Sequence, residues 1–369
     1  VISIPVAIVA GIGRAARNGI LIKGGEFLET SAKISAVAVD KTGTLTEGRP
    51  RLTDVVVLDP ALERTEVLRW AAAAEAGSEH PLARPILETA QAEGAGPQGV
   101  PGTVTPVPGK GIVSEVDGRL VGNPPLLEQY GIAEAAAEAT RTAQDLAADG
   151  KTPMIVAVDQ TVIGVVAVAD QIRQDAPEMV ARLHRAGVEK VVMLTGDTRL
   201  VAEAIGKATG IDEIHASLLP EDKLDAVTQL QRQGHTIAMV GDGVNDAPAL
   251  ATANIGVAMG AAGSAVAVET ADIALMGDNL LKLPEAIGLA KRTVSVMRQN
   301  IAIALITVVL LLAGVFAGGV TMSIGMLVHE ASVLVVIANA MRLLRNTPGS
   351  TAMPKSERTT PQAAEQVSA

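Results

Sequence analysis

The pentapeptide Asp40-Lys41-Thr42-Gly43-Thr44, directly after the apolar run Ile34-Ser35-Ala36-Val37-Ala38-Val39, restricts the fold of this chain more than any other feature. The run reads as a buried strand. An acid at the carboxyl end of such a strand lies where open α/β sheets place their chemistry. A carboxylate there can attack a phosphoryl group and become an acyl phosphate. Phosphatases built on this strand-loop plan carry a second Asp two positions later, which hydrolyses the intermediate. Here that position is Thr42, which cannot do so at neutral pH, so an acyl phosphate at Asp40 is expected to persist. Taken alone, the motif would suit equally well an Asp that caps a turn.

Two further strand ends favour the chemical reading. Lys190–Leu194 leads into Thr195-Gly196-Asp197, where Thr195 can donate to a phosphate oxygen and Gly196 lets the backbone come close. Thr236–Val240 leads into Gly241-Asp242-Gly243-Val244-Asn245-Asp246, a Gly-rich turn with two carboxylates that suits Mg²⁺, an ion that prefers oxygen ligands. Between them, Lys223 lies early in a helix expected over Glu221–Gln233 and stopped by Gly234. It would hold fixed positive charge beside a transferring phosphoryl group.

With these motifs in this order, the chain resembles the heavy-metal-transporting P-type ATPases, within the haloacid-dehalogenase-like superfamily. The matching residues are Asp40-Lys41-Thr42-Gly43-Thr44-Leu45-Thr46, Thr195-Gly196-Asp197 and Gly241–Asp246. The resemblance implies that Asp40 is phosphorylated from ATP. It implies that Asp40, the Thr42 carbonyl and Asp242 hold Mg²⁺. Thr195 and Lys223 would bind the phosphoryl group, with Asn245 and Asp246 completing the pocket. Ser78-Glu79-His80-Pro81 resembles the nucleotide-domain signature of the heavy-metal branch, which assigns Glu79 and His80 to ATP. Gly109-Lys110-Gly111 and Gly122-Asn123 match its other nucleotide loops, adding Gly109 and Gly111. No Walker-type loop is present.

The organisation follows. Residues 1–20 read as the end of a truncated membrane helix, with Arg14, Arg17 and Lys23 after its apolar part. Residues 33–47 and 169–277 alternate strands and helices, which predicts a mostly parallel, doubly wound sheet. Asp175 and Glu178 read as the capping pair that opens a helix there. Residues 48–168 form an inserted α+β nucleotide-binding domain. Ile301–Val328 carries no charge and is too long for one span, so Gly318-Gly319 divides a membrane hairpin over 300–341, from about Asn300 to Ala317 and from Met322 to Met341. Residues 346–369 read as a disordered tail. There is no Cys, so disulfides and thiolate metal sites are excluded, and a formal charge of −10 argues against a nucleic-acid partner.

His329-Glu330 lies deep in the second membrane helix, where ionisable side chains default to function. A pair that only hydrogen-bonds to a neighbouring helix is the bland alternative. Imidazole with carboxylate suits Zn²⁺, Co²⁺, Fe²⁺ or Ni²⁺ better than Cu⁺. His329-Glu330-Ala331-Ser332 is similar to the His-Glu-Gly motif of the cobalt/zinc/iron-type subgroup, departing from it at Ala331 and Ser332, where glycine or threonine is usual. The resemblance further implies export of such a divalent metal across a membrane, that of a bacterial cell, with the catalytic domains cytoplasmic. It also implies that a Cys-Pro metal motif and an actuator domain precede Val1 in the same pump. Two other readings stand beside it: a phosphatase of the same superfamily, and a non-catalytic remnant of a pump.

Overall fold

The computed structural model describes residues 3–345, apart from 79, 81, 97–103, 108–110, 115–118, 123–125, 127–128, 130, 133–136, 243–245 and 261–268. The chain divides into two compact units, Gly11–Ser295 and the remainder. In chain order the elements begin with α1 (Ser3–Arg17), β1 (Ile20–Ile22), α2 (Gly25–Ser31) and β2 (Ala36–Asp40). Next come β3 (Arg51–Val57), α3 (Arg64–Glu75), α4 (Ala83–Ala92), β4 (Val104–Val107), β5 (Gly111–Ser114), β6 (Arg119–Gly122), α5 (Ala137–Ala148), β7 (Thr152–Val158) and β8 (Thr161–Ala169). The chain continues through α6 (Ala176–Arg185), β9 (Lys190–Leu194), α7 (Arg199–Thr209), β10 (Glu213–His215), α8 (Pro220–Arg232), β11 (Ile237–Gly241), α9 (Ala247–Thr252), β12 (Ile255–Met259) and β13 (Ile273–Leu275). Two long helices close it, α10 (Lys282–Phe316) and α11 (Met322–Met341).

Two sheets organise the larger unit. The first has seven strands in the order β1-β13-β12-β11-β2-β9-β10. It is parallel except for β1, which pairs antiparallel with β13. Strands β2, β11 and β12 are buried throughout, as their unbroken apolar runs require when helices cover both faces. The second sheet is antiparallel, with six strands in the order β3-β8-β7-β6-β5-β4. All its strands fall between Arg51 and Ala169, so it is an insertion between β2 and α6. Helices α3 and α4 pack on it through Val67, Leu68, Ala71, Ile86 and Ala90.

Two expectations are corrected. The Asp175 side chain does not cap α6; its Oδ2 instead accepts the Leu280 amide at 2.8 Å, and Glu178 pairs with Arg182 and Arg185. Tertiary contact has taken over the local capping partners. The helix expected from about Asn300 starts at Lys282. No breaker separates the two segments, and Leu283, Ala286, Ile287 and Ala290 bury an apolar stripe in the core of the seven-stranded unit. The second helix has the expected bounds, and both are long and apolar enough to cross a membrane.

Glu75, at the end of α3, is 5% exposed, and its Oε2 has no partner among the described residues. Burial raises its pKa to about 7, which the Ser78 hydroxyl only partly offsets. The folded chain therefore holds a proton here that the unfolded chain releases near its ordinary value. The associated stability is complete in acid and is lost as pH rises through about 7. Glu75→Gln should accordingly match the parent at a pH below the ordinary carboxylate value and exceed it at pH 8, by up to about 3 kcal/mol. Melting followed by the single tryptophan, Trp70, in the same helix would check this.

Candidate active site

Strand register assembles the site. Asp40 pairs with Leu194 and Val39 with Val240, so Thr195 and Asp242 emerge on either side of Asp40 at the carboxyl ends of β9 and β11. That is the edge at which open parallel sheets bind ligands. Residues Lys41–Leu45 form one wide turn, closed by the Thr46 amide donating to the Lys41 carbonyl at 3.1 Å. Gly43 has φ +71°, and a Cβ there would lie 3.2 Å from Asp242 Oδ2. The turn therefore needs glycine both for its conformation and for the approach to Asp242.

Lys223, in the first turn of α8, donates to Asp40 Oδ1 at 2.6 Å and to Asp246 Oδ1 at 2.7 Å. All three side chains are largely buried. Burial raises the Asp40 pKa to about 7; the charge of Asp246 adds to the rise and Lys223 opposes it. Burial also pulls on Lys223, but Asp40 and Asp246 outweigh it and hold its pKa above the ordinary value. Thr195 is 2% exposed, its Oγ1 accepts the Asp197 amide at 3.1 Å, and a Cβ on Gly196 would meet the Leu218 carbonyl at 3.2 Å. Lys41 and Asp197 form an ion pair.

Asp40, Lys41, Thr42, Thr195, Gly196, Asp197, Lys223, Asp242 and Asp246 are thus gathered around one strand-end cleft. Asn245 lies outside the described residues. So do Glu79 and Gly109 of the expected nucleotide loops, whereas Gly111 opens β5 in the inserted sheet. His80 sits before α4, and its Nδ1 accepts the Leu82 amide at 3.2 Å, which leaves Nε2 to carry the proton of a neutral ring. Surrounding chain shields the ring enough to hold its pKa below the ordinary imidazole value, although the residue is exposed overall.

In the smaller unit, His329 and Glu330 are exposed on α11. As neighbours they are about 100° apart around the helix and do not share a face. Among the described residues, neither here nor in the strand-end cleft do three His, Asp or Glu side chains converge on a single point, so a cation held by the protein would keep water in part of its shell.

The donor chemistry of the cleft fits Mg²⁺. Among the described residues, Asp246 Oδ2 is a buried oxygen without a partner, lying against Gly241. Asp40, Asp197, Asp242 and Asp246 set four carboxylates against the ammonium groups of Lys41 and Lys223. A hard divalent cation matches that balance, and Mg²⁺ keeps several waters and needs only one or two carboxylates.

Sequence reasoning missed the clamp behind the turn. Asp170 accepts from the Thr46 hydroxyl at 2.6 Å, the Gly48 amide at 3.0 Å and the Arg49 amide at 3.0 Å. Arg173 donates to the carbonyls of Thr46 at 3.0 Å and Gly43 at 3.3 Å. The one available signal was Asp170-Gln171-Ile172-Arg173, a polar break directly after the nine-residue strand β8.

Residues 34–254 match the model for haloacid dehalogenase-like hydrolases, and the chain belongs to that family. The relatives narrow the class. The chain is 40% identical over 348 residues to a cadmium-transporting ATPase of Staphylococcus aureus, covering 94% of the chain and 48% of the relative. It is 41% identical over 353 residues to a zinc-exporting P-type ATPase of Mycobacterium marinum, covering 93% and 47%. The structure of a zinc-transporting PIB-type ATPase in the E2.Pi state superposes with a TM-score of 0.70 at 40% identity, covering 93% of this chain and 55% of that one. The chain spans about half the length of the curated relatives it matches.

Without a divalent cation, stability should fall as pH rises through about 7, where Asp40 loses a proton that only the folded state holds. Mg²⁺ should restore it. In a Glu75→Gln background, Asp246→Asn should move this step to lower pH and Lys223→Met to higher pH. Melting curves from pH 4 to 9, with and without Mg²⁺, would read all three.

Proposed function

We propose that this chain carries the phosphorylation domain, the nucleotide-binding domain and a membrane hairpin of an ATP-driven exporter of divalent transition metal. One observation carries the reading. Asp40 is held at the strand end between Lys223 and Thr195, while Thr42 stands where a second acid would hydrolyse the product. In the proposed reaction a carboxylate oxygen of Asp40 attacks the γ-phosphorus of ATP, the bond to the β,γ-bridging oxygen breaks, and ADP leaves. Lys223 and the Thr195 hydroxyl offset the charge on the transferring group, so the step depends on positioning and electrostatics. Bound Mg²⁺, held by Asp40, Asp242 and the Thr42 carbonyl, would neutralise phosphate charge. Lys41 and Asp197 would fix the two loops on either side, with Gly196 leaving room for the phosphoryl oxygens.

Residues 48–168 are assigned to ATP, with Glu79, His80, Gly109 and Gly111 about the base and Asn245 and Asp246 near the phosphates. The hairpin is assigned to a membrane, and the basic residues that flank its apolar run assign the catalytic unit to the cytoplasmic side. His329 and Glu330 are assigned to the transported ion. Their different faces mean that each would meet it with donors from elsewhere in the pump. Zinc suits the imidazole–carboxylate chemistry and is named for one relative and for the superposed structure, while another relative is named for cadmium.

ATP labelled at the γ-phosphate should, with Mg²⁺, place an acid-stable, hydroxylamine-labile label on the chain and none on Asp40→Asn. Thr42→Asp should shorten the life of that label by about 10²-fold or more, the ordinary scale of general acid–base catalysis. A chain that binds nucleotide and takes no label would favour the remnant reading. A label too short-lived to trap, with turnover of simple phosphomonoesters, would favour the phosphatase.

A further inference from the structure

The base of the two-helix unit carries a charge arrangement that the pump reading leaves unused. Asn339 Nδ2 donates to Asn300 Oδ1 at 2.9 Å and to Gln299 Oε1 at 3.2 Å. Arg342 Nη1 donates to Asn339 Oδ1 at 2.9 Å. Asn300 is fully buried, so this network fixes the level at which α10 and α11 meet. On one side of that level, Ile301–Phe316 carries no charge, and α11 has none between Glu330 and Asn339. On the other side, Arg298, Arg342 and Arg345 are all exposed, the first two within about one helical turn of the level where the helices meet and Arg345 three residues beyond Arg342. The single acid in residues 296–345 is Glu330, about 13 Å along the helix from Asn339. Among the described residues, none of the three guanidinium groups forms an ion pair, and Arg342 is aimed by a neutral amide.

Guanidinium groups at one end of an apolar span, with no carboxylate paired to them among the described residues, match the phosphate oxygens of a headgroup at the same depth. We propose that Arg298, Arg342 and Arg345 form a binding site for the phosphodiester of an anionic phospholipid of the phosphatidylglycerol type. The proposal rests on reading α10 and α11 as a membrane hairpin. A zwitterionic lipid also has the phosphate, but its ammonium group cancels the attraction.

The full chain would be purified in mild detergent, exposed to equal amounts of phosphatidylglycerol and phosphatidylcholine, and its retained lipids counted by native mass spectrometry. Phosphatidylglycerol should be retained preferentially. Each of Arg298→Gln, Arg342→Gln and Arg345→Gln should weaken its retention roughly fivefold, and the three Arg→Lys changes together should preserve most of it. Trp70-monitored melting would confirm that the variants fold. Equal retention of the two lipids, or undiminished retention by the triple Gln variant, would overturn the proposal. So would displacement by millimolar inorganic phosphate, which would identify a free-anion site instead. Alkaline carbonate extraction of the parent separates the two premises. Release from membranes would remove the hairpin reading and this site with it, whereas firm retention without lipid preference would overturn this site alone.

Discussion

One buried ammonium group holds the cleft together. Lys223 lies between Asp40 and Asp246, and without it two carboxylates would face each other in a region closed to water. Removing one partner from such an arrangement typically costs several kcal/mol, because the remaining charges stay buried. The three residues come from α8, the end of β2 and the start of α9, so this contact also fixes how those elements meet. The strands supply the positions, and the charge balance explains why each position carries the side chain it does.

The same cleft is restrained from behind. Asp170 and Arg173 bind the segment where the chain leaves the parallel sheet, within a few residues of where it returns. The isolated bridge between Thr46 and Ile172 runs between them. Both crossings into the inserted sheet are therefore tied to the turn that begins at Asp40. Any reorientation of the insert pulls on Thr46 and on the Gly43 carbonyl, two groups in or beside the reacting turn.

Much of this was legible in the sequence because it is encoded locally. The strand ends at Asp40, Thr195 and Asp242 follow unbroken apolar runs, and a parallel sheet brings such ends together by register alone. The family resemblance added the roles. What escaped was set by distant contacts. Nothing near Asp175 announces that its carboxylate serves the Leu280 amide, 105 residues away. The early start of α10 escaped because residues 282–298 are amphipathic and charged, so uninterrupted apolarity marks only the later part of the helix. Asp170 and Arg173 resembled an ordinary polar linker because their partners are backbone groups, which leave no trace in side-chain patterns.

The inserted sheet also leaves a mark on the core it interrupts. Ala147, near the end of α5, is 4% exposed and belongs to the apolar cluster of the seven-stranded unit, beside Val180, Val201 and Ile205. Gly150, just beyond, approaches α7 so closely that a Cβ there would lie 3.7 Å from Ala204 Cβ. Helix α7 begins two residues after Asp197, so its middle touches the insert while its near end borders the Thr195–Asp197 loop. The insert has apolar cores of its own, yet through Ala147 it also closes part of the core it interrupts, so excising it along its chain boundaries would uncover apolar surface near Val201 and Ile205.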